Sequence, residues 1–308
     1  MAIPGGSLTG TSAISNLVQT AYDQYVRMAL RSIPVMRALA DVKPVQQAMP
    51  GSSVVFSIYS DLAQATSTLT ESTDVSSIAL GNPNQVTVTL QEYGSAVTTT
   101  KKLNLTSFND VDAALADIIA YNAADSIDAV VASVLTAGSN AIYAGTATNT
   151  AGIKADQLLT VSDIRQAVTE LRTNKALPRI GELYAGYLHP RQTADLRAET
   201  GTGGFQDLTK YVDRTPFVAG AVGVIEGAFI VETPRVPYAT NGTTNVYKAV
   251  IAGREALAEA QGQDISTVIG PQIDALRRFH TIGWYYFGGW SLLRQAAIYR
   301  VESAATNG

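Results

Sequence analysis

Near the start of the chain, Ile14, Leu17, Val18, Ala21, Tyr25 and Met28 recur at three- and four-residue spacing. Pro34 and Pro44 follow, so the pattern predicts an amphipathic helix and then an extended arm over residues 1–50. An arm with an apolar stripe needs a surface to lie on. The period then changes to two. Val54, Phe56 and Ile58 alternate with Val55, Ser57 and Tyr59, and Val86, Val88 and Leu90 alternate with Thr87, Thr89 and Gln91, which predicts two paired strands. Their connection, Asp61 to Asn84, is dominated by Ser and Thr, carries Gly81 and Pro83, and is long for a hairpin. A two-stranded projection of this length is marginal alone and gains stability by touching another molecule.

From Asn109 to Leu135 there is no glycine or proline, and a helix there would run on the order of 40 Å at about 1.5 Å per residue. Asp110, Asp117, Asp125 and Asp128 cluster on one side of its wheel. Its apolar residues drift from Val111, Leu115 and Ile118 to Ile127, Val130 and Val134, which predicts different buried faces at the two ends. Gly138, Gly145 and Gly152 mark a boundary. Thr160 and Asp163 then open a capped helix that stops before Pro178, Leu183–Leu188 reads as a strand, and Pro190 begins a helix ending near Gly201. Val222–Val231, Tyr247–Ile251 and Ile265–Ile269 are strand candidates. Phe279–Phe287 and Leu292–Val301 read as two long strands joined by a turn at Gly288 and Gly289.

A 308-residue chain with 46% hydrophobic and 16% charged residues can bury a sizeable core and is neither disordered nor fibrous. Its net charge of -4 argues against a surface built to neutralise phosphates, so DNA is expected to make only weak, non-specific contact. With no cysteine, disulfides and thiolate metal sites are excluded. Residues 1–10 lack the basic start and apolar run of a secretion signal, and Val218–Val231, interrupted by Glu226, is too short to span a bilayer. A soluble protein without a membrane partner is the expectation. Between Lys43 and Lys101 there is no basic residue, whereas Asp61, Glu71, Asp74 and Glu92 all lie there. Residues 1–43 carry Arg27, Arg31, Arg37 and Lys43 against Asp23 and Asp41. The acidic stretch reads either as an ordinary polar loop or as an extension complementary to a basic region on another copy. On the second reading, Ile14, Leu17, Arg27, Arg31, Asp61, Glu71 and Asp74 are the candidate inter-subunit contacts.

Candidate chemistry is sparse. The two histidines, His189 and His280, read as a helix cap and a strand residue, and neither has a local partner that would make it a general base. No G-x-S-x-G elbow is present, and Gly201, Gly203 and Gly204 lack the spacing of a phosphate or dinucleotide loop. Glu255 and Glu259, at i and i+4, read as solvated helix carboxylates. Trp284, Tyr285, Tyr286, Phe287 and Trp290 read as core packing rather than a stacking platform for single strands, since Arg277, Arg278 and Arg294 are too few to line a groove. No catalytic, metal-binding or cofactor residue is expected.

Several stretches carry a resemblance. ESTDVSSIALGNPNQVTVTLQEYGSAVTTTKKL (71–103), LYAGYLHPRQTADL (183–196), VIEGAFIVETPRVP (224–237), YKAVIAGREALA (247–258) and GWYYFGGWSLLRQAAIYRVES (283–303) resemble, in this order, the segments of tailed-bacteriophage major capsid proteins. The resemblance covers nearly the whole chain, and order carries it more than any single motif. It implies the α+β fold of that family: an N-terminal arm (1–50), an extended two-stranded loop (51–100), a peripheral domain with a spine helix (101–158, helix 109–135), a central axial α/β domain (159–264) and C-terminal return strands of the peripheral domain (265–308). It implies a structural subunit that assembles with itself into hexamers and pentamers of an icosahedral shell in the host bacterial cytoplasm. Portal and decoration proteins are implied partners. No long helical extension precedes the arm, so a separate scaffolding protein is expected. The competing readings are a soluble enzyme with a pocket of scattered residues, and another virion component such as a tail or decoration protein.

Some members of that family cross-link covalently through a lysine in the extended loop. No lysine lies between Lys43 and Lys101 here, so mature particles should run as a single monomer band on a denaturing gel; a ladder would overturn this expectation.

Overall fold

The computed structural model describes residues 35–44, 52–59, 61–72, 74–75, 77–106, 111–200, 223–270, 276 and 278–306. The amphipathic segment with Ile14, Leu17, Arg27 and Arg31, and the Gly201–Gly204 loop, lie outside them. After a short 3-10 turn (Met36–Leu39), the elements in chain order are β1 (Ala40–Pro44), β2 (Ser53–Ile58), β3 (Asn84–Thr89), β4 (Gln91–Thr100), α1 (Lys101–Thr106), α2 (Val111–Thr136), β5 (Ala141–Tyr143), α3 (Val161–Thr173), β6 (Tyr184–Leu188), α4 (Pro190–Ala198), β7 (Val224–Ile225), β8 (Ala228–Glu232), β9 (Tyr238–Asn241), β10 (Thr244–Ala252), β11 (Leu257–Ile269), β12 (Phe279–Leu292) and β13 (Ile298–Ser303). They form a four-stranded sheet ordered β1-β11-β12-β4, a seven-stranded sheet β5-β13-β10-β6-β8-β7 with β9 beside β10, and a separate ribbon, β2-β3. This is the mixed α+β architecture expected.

Helix α2 lies on the four-stranded sheet. Ile119, Ala123, Ile127, Val131 and Leu135, each four residues from the next, form one buried row facing Ile282, Trp284, Tyr286 and Trp290 of β12. The expected drift is present: each step of four advances about 40° round the helix, so the face buried at Ile119 differs from the one buried at Leu135, and only Ile118, at 45% exposed, departs from the expected set. By length and composition α2, rather than Val218–Val231, is the segment that could cross a bilayer; that buried row makes it a core helix instead. The capped start at Thr160 is present, with Thr160 Oγ1 accepting from the Asp163 amide and Asp163 Oδ2 accepting from the Thr160 amide. Ile164, Val168 and Leu171 of this helix, α3, pack against the seven-stranded sheet.

Three local expectations change. The described part of the Val222–Val231 candidate is a tight hairpin, β7 and β8, because Glu226 (φ 49°) and Gly227 (φ 88°) both take the left-handed conformation its two-residue turn needs. Glu255 and Glu259 are not helical; Glu259 lies in β11 and is fully buried. Gly288 and Gly289 make no turn. Strand β12 runs straight through them, paired to β11 and β4, and the next strand, β13, joins the other sheet beside β10 and β5. Glycine is needed there for close approach: a Cβ on Gly288 would sit 2.7 Å from the Ala260 carbonyl oxygen, and one on Gly289 would run into the carbonyl of Thr89, at the root of the ribbon.

Replacing Gly289 by Ala should cost about 3 kcal/mol, because the obstructing atom belongs to the backbone and cannot rotate away. Gly81→Ala, which meets open space, should stay within about 0.5 kcal/mol. Urea unfolding of the soluble subunit checks both, and equal midpoints would refute the close-approach argument.

Candidate assembly surface

The segment that emerges from the undescribed residues 1–34 is tied down at its root by buried polar groups. Asp128, buried beside the apolar row of α2, accepts hydrogen bonds from the Met36 and Arg37 amides at 2.7 and 3.3 Å. Burial pushes its carboxyl above the usual carboxylate range, and the backbone donors only partly oppose that. The group therefore favours the fold most when protonated, and this contribution is lost as pH rises through the raised value. One residue on, Arg37 reaches Glu259 with Nη2 at 2.6 Å and Nε at 3.1 Å from both carboxylate oxygens, while Tyr286 donates to the same carboxylate at 2.8 Å. Burial, followed by the adjacent Glu259 charge, drives the Tyr286 phenol far above its ordinary range. From the opposite side, Arg179 binds Asp41 at 2.8 Å and the carbonyls of Ala38 and Ala40. Strand β1 then pairs in parallel with β11, from Ala40↔Leu257 to Pro44↔Gln261.

At the far end of the ribbon the chain behaves oppositely. Strands β2 and β3 pair only from Ser53↔Thr89 to Ile58↔Asn84. Among the described residues of 61–82 every one is exposed, including Leu62, Leu69, Val75, Ile78 and Leu80. Among the described residues nothing covers these five apolar side chains, which makes the projection a candidate contact surface. Asp61, Glu71 and Asp74 stand on this projection, and among the described residues none of them meets a cation; Asp74 Oδ1 accepts from the Val75 amide at 2.8 Å. The loop residues of the expected contact set are thus on one projection, with Ile14, Leu17, Arg27 and Arg31 outside the described part.

The described residues weighed for chemistry take structural roles. His189 caps α4, accepting from the Arg191 amide at 3.2 Å and stacking on Tyr247 at 4.3 Å; burial, then Arg191, lowers its pKa. Glu255 pairs with Arg294 at 2.6 Å on the surface. Trp284, Tyr286 and Trp290 are buried, as core packing requires. Among the described residues no group of acidic, histidine or cysteine side chains could hold a metal ion. Sequence reasoning missed Arg37, Asp128 and Glu259; the available signal was an acid flanked by apolar residues at Asp128 and one between alanines at Glu259.

The arrangement of arm root, projecting ribbon, spine helix on a long sheet and second α/β sheet invites comparison. Residues 14–299 match the family model described as phage capsid protein. The chain belongs to that family. Compared by sequence with curated proteins, it finds no match. Its fold is similar to the capsid structure of cyanophage P-SCSP1u (18% identity, 94% of each chain, TM-score 0.74) and to the capsid of cyanophage Pam1 (14% identity, 99% of this chain and 100% of that one, TM-score 0.73). It is also similar to the capsid of Helicobacter pylori bacteriophage KHP30 (13% identity, 98% and 100%, TM-score 0.72). This capsid protein is a structural, non-enzymatic subunit of the virion shell.

Removing one partner of the buried pair tests the arm root. Arg37→Met strands the fully buried Glu259 carboxylate and should cost about 3–5 kcal/mol, whereas Arg37→Met/Glu259→Met should recover most of the loss. Urea unfolding of the capsid subunit measures both, and equal losses for single and double variants would contradict the pairing.

Proposed function

We propose that copies of this capsid protein associate as hexamers and pentamers of an icosahedral shell, with the 61–84 loop of each copy lying over an adjacent one. The observation that carries this reading is the loop's set of exposed apolar side chains, Leu62, Leu69, Val75, Ile78 and Leu80, which no described residue of the chain covers. The arm, with Ile14, Leu17, Arg27 and Arg31, reaches a further copy, and Asp61, Glu71 and Asp74 meet cations across the loop interface. Each contact is modest, but once one has formed, high effective concentration favours the rest. Contacts of the same heterologous type repeat around each ring until it closes.

The division that goes with this reading has an arm (1–50), an extended loop (51–100), a peripheral domain (101–158 and 265–308) and a central domain (159–264). Exchanges between the sheets qualify it: β13, inside 265–308, and β5, inside 101–158, lie in the seven-stranded sheet, while β11, which starts at Leu257 inside 159–264, lies in the four-stranded one. Assembly takes place in the host cytoplasm around a separate scaffolding protein, with portal and decoration proteins as further partners. Packaged DNA makes weak, non-specific contact, in keeping with the net charge of -4.

Electron microscopy and light scattering of the purified chain, with and without co-expressed scaffold, test this. Shells, tubes or rings of five and six are expected with scaffold present; a monodisperse monomer under all conditions would refute the assembly reading. Replacing residues 62–82 by a short turn should leave a folded subunit that no longer closes shells.

A further inference from the structure

Strand β4 borders the four-stranded sheet and, among the described residues, pairs on one side only, with β12. Its ten residues contain no proline or lysine, and Gly94 to Thr98 are all exposed. Natural edge strands of this length are normally shortened, bulged, charged or covered, because their free amides and carbonyls bind another strand. The other border of the same sheet, β1, is half as long and ends in Pro44. The β4 edge is therefore built to be covered.

Resting on the assembly reading above, we propose that residues 75–83 of a neighbouring copy add to this edge as an antiparallel strand, with Ile78 opposite Val97 and Asp74 at Lys101. Three observations select this occupant. The first is its backbone: described residues of 75–83 belong to no strand or helix, and between Val75, whose amide bonds Asp74 Oδ1, and Pro83, which has no N–H, the amides and carbonyls of Ser77–Asn82 are available for pairing. The second is length: the nine residues 75–83, about 30 Å at ~3.4 Å per residue, match the nine from Glu92 to Thr100. The third is complementarity along the strand. The antiparallel register sets Ile78 (69% exposed) against Val97 (38% exposed), forming an apolar cross-strand pair from two exposed residues. At its far end it brings Asp74, with Glu71 just beyond, to the exposed Lys101 and Lys102 where β4 passes into α1. The loop carries only acids and this end of the edge carries two lysines. Backbone pairing supplies adhesion, and the charges fix direction.

The absence of cysteine makes the register directly readable. Val97→Cys and Ile78→Cys are made as separate single variants and co-assembled with scaffold, and the shells are oxidised and run on a non-reducing gel. A disulfide-linked dimer is expected from the mixture, at least tenfold above mixtures in which Val224→Cys replaces Val97→Cys. Hydrogen exchange gives a second readout: amides of 91–100 should become protected when subunits enter shells. Shells that form normally with no dimer and no new protection would overturn the strand addition while leaving shell assembly intact. A dimer that forms instead between Val97→Cys and Leu17→Cys would assign the edge to the arm and equally overturn it. Failure of the cysteine-free parent to form shells would overturn the assembly reading, and this proposal with it.

Discussion

One fully buried carboxylate, Glu259, governs how this capsid protein is put together. A charge removed from water is tolerated only with a partner, and the partner, Arg37, comes from a segment 222 residues earlier in the chain. The pairing forces the beginning of the described chain across a sheet built from its end. Once Arg37 is in place, the preceding amides meet Asp128 on the spine helix, Asp41 meets Arg179, and β1 lies in register beside β11. Arm root, helix and long sheet are thereby one cooperative unit. The apolar row of α2 supplies the bulk of the burial, while the polar contacts decide which segment lies where.

That division explains what could be read from the sequence. Elements specified by neighbouring residues were legible: the Thr160–Asp163 cap, Pro190 at the first turn of α4, the alternation of β2 and β3, and the unbroken run that became α2. Features that depend on distant residues were not. A Gly-Gly pair between two aromatic runs looks the same whether it turns the chain or admits a neighbouring carbonyl, and only the positions of Thr89 and Ala260 decide. Glu255 and Glu259 at helical spacing suggested a solvated face because their surroundings come from residues far away. Of the candidate contact surface, the loop was legible through its missing cations and long polar run; the arm root was not, since Arg37 looks like any other arginine of the first 43 residues.

The two ends of the long β2–β4 excursion follow opposite rules. At its root, glycines at 288 and 289 let backbones approach closely, and Val88 and Leu90 are buried with Ala258 and Ala260. At its tip, leucines and isoleucine stand in solvent. This distribution places the close packing at the root and leaves the apolar side chains of the tip exposed, which is the feature on which the proposed contact between copies rests.

The last turn of the spine helix ends on an arginine of the other sheet. Arg300, in β13, donates to the carbonyls of Thr136 and Gly138 at 2.5 and 2.8 Å and pairs with the buried Glu302 at 2.5 Å. Its positive charge sits where the helix dipole is negative. In mechanical terms α2 is a strut pinned twice in its C-terminal half, to the arm root at Asp128 and to the seven-stranded sheet at Thr136. Outward pressure on either sheet then travels along the helix into the other, so that the subunit carries load as a single plate.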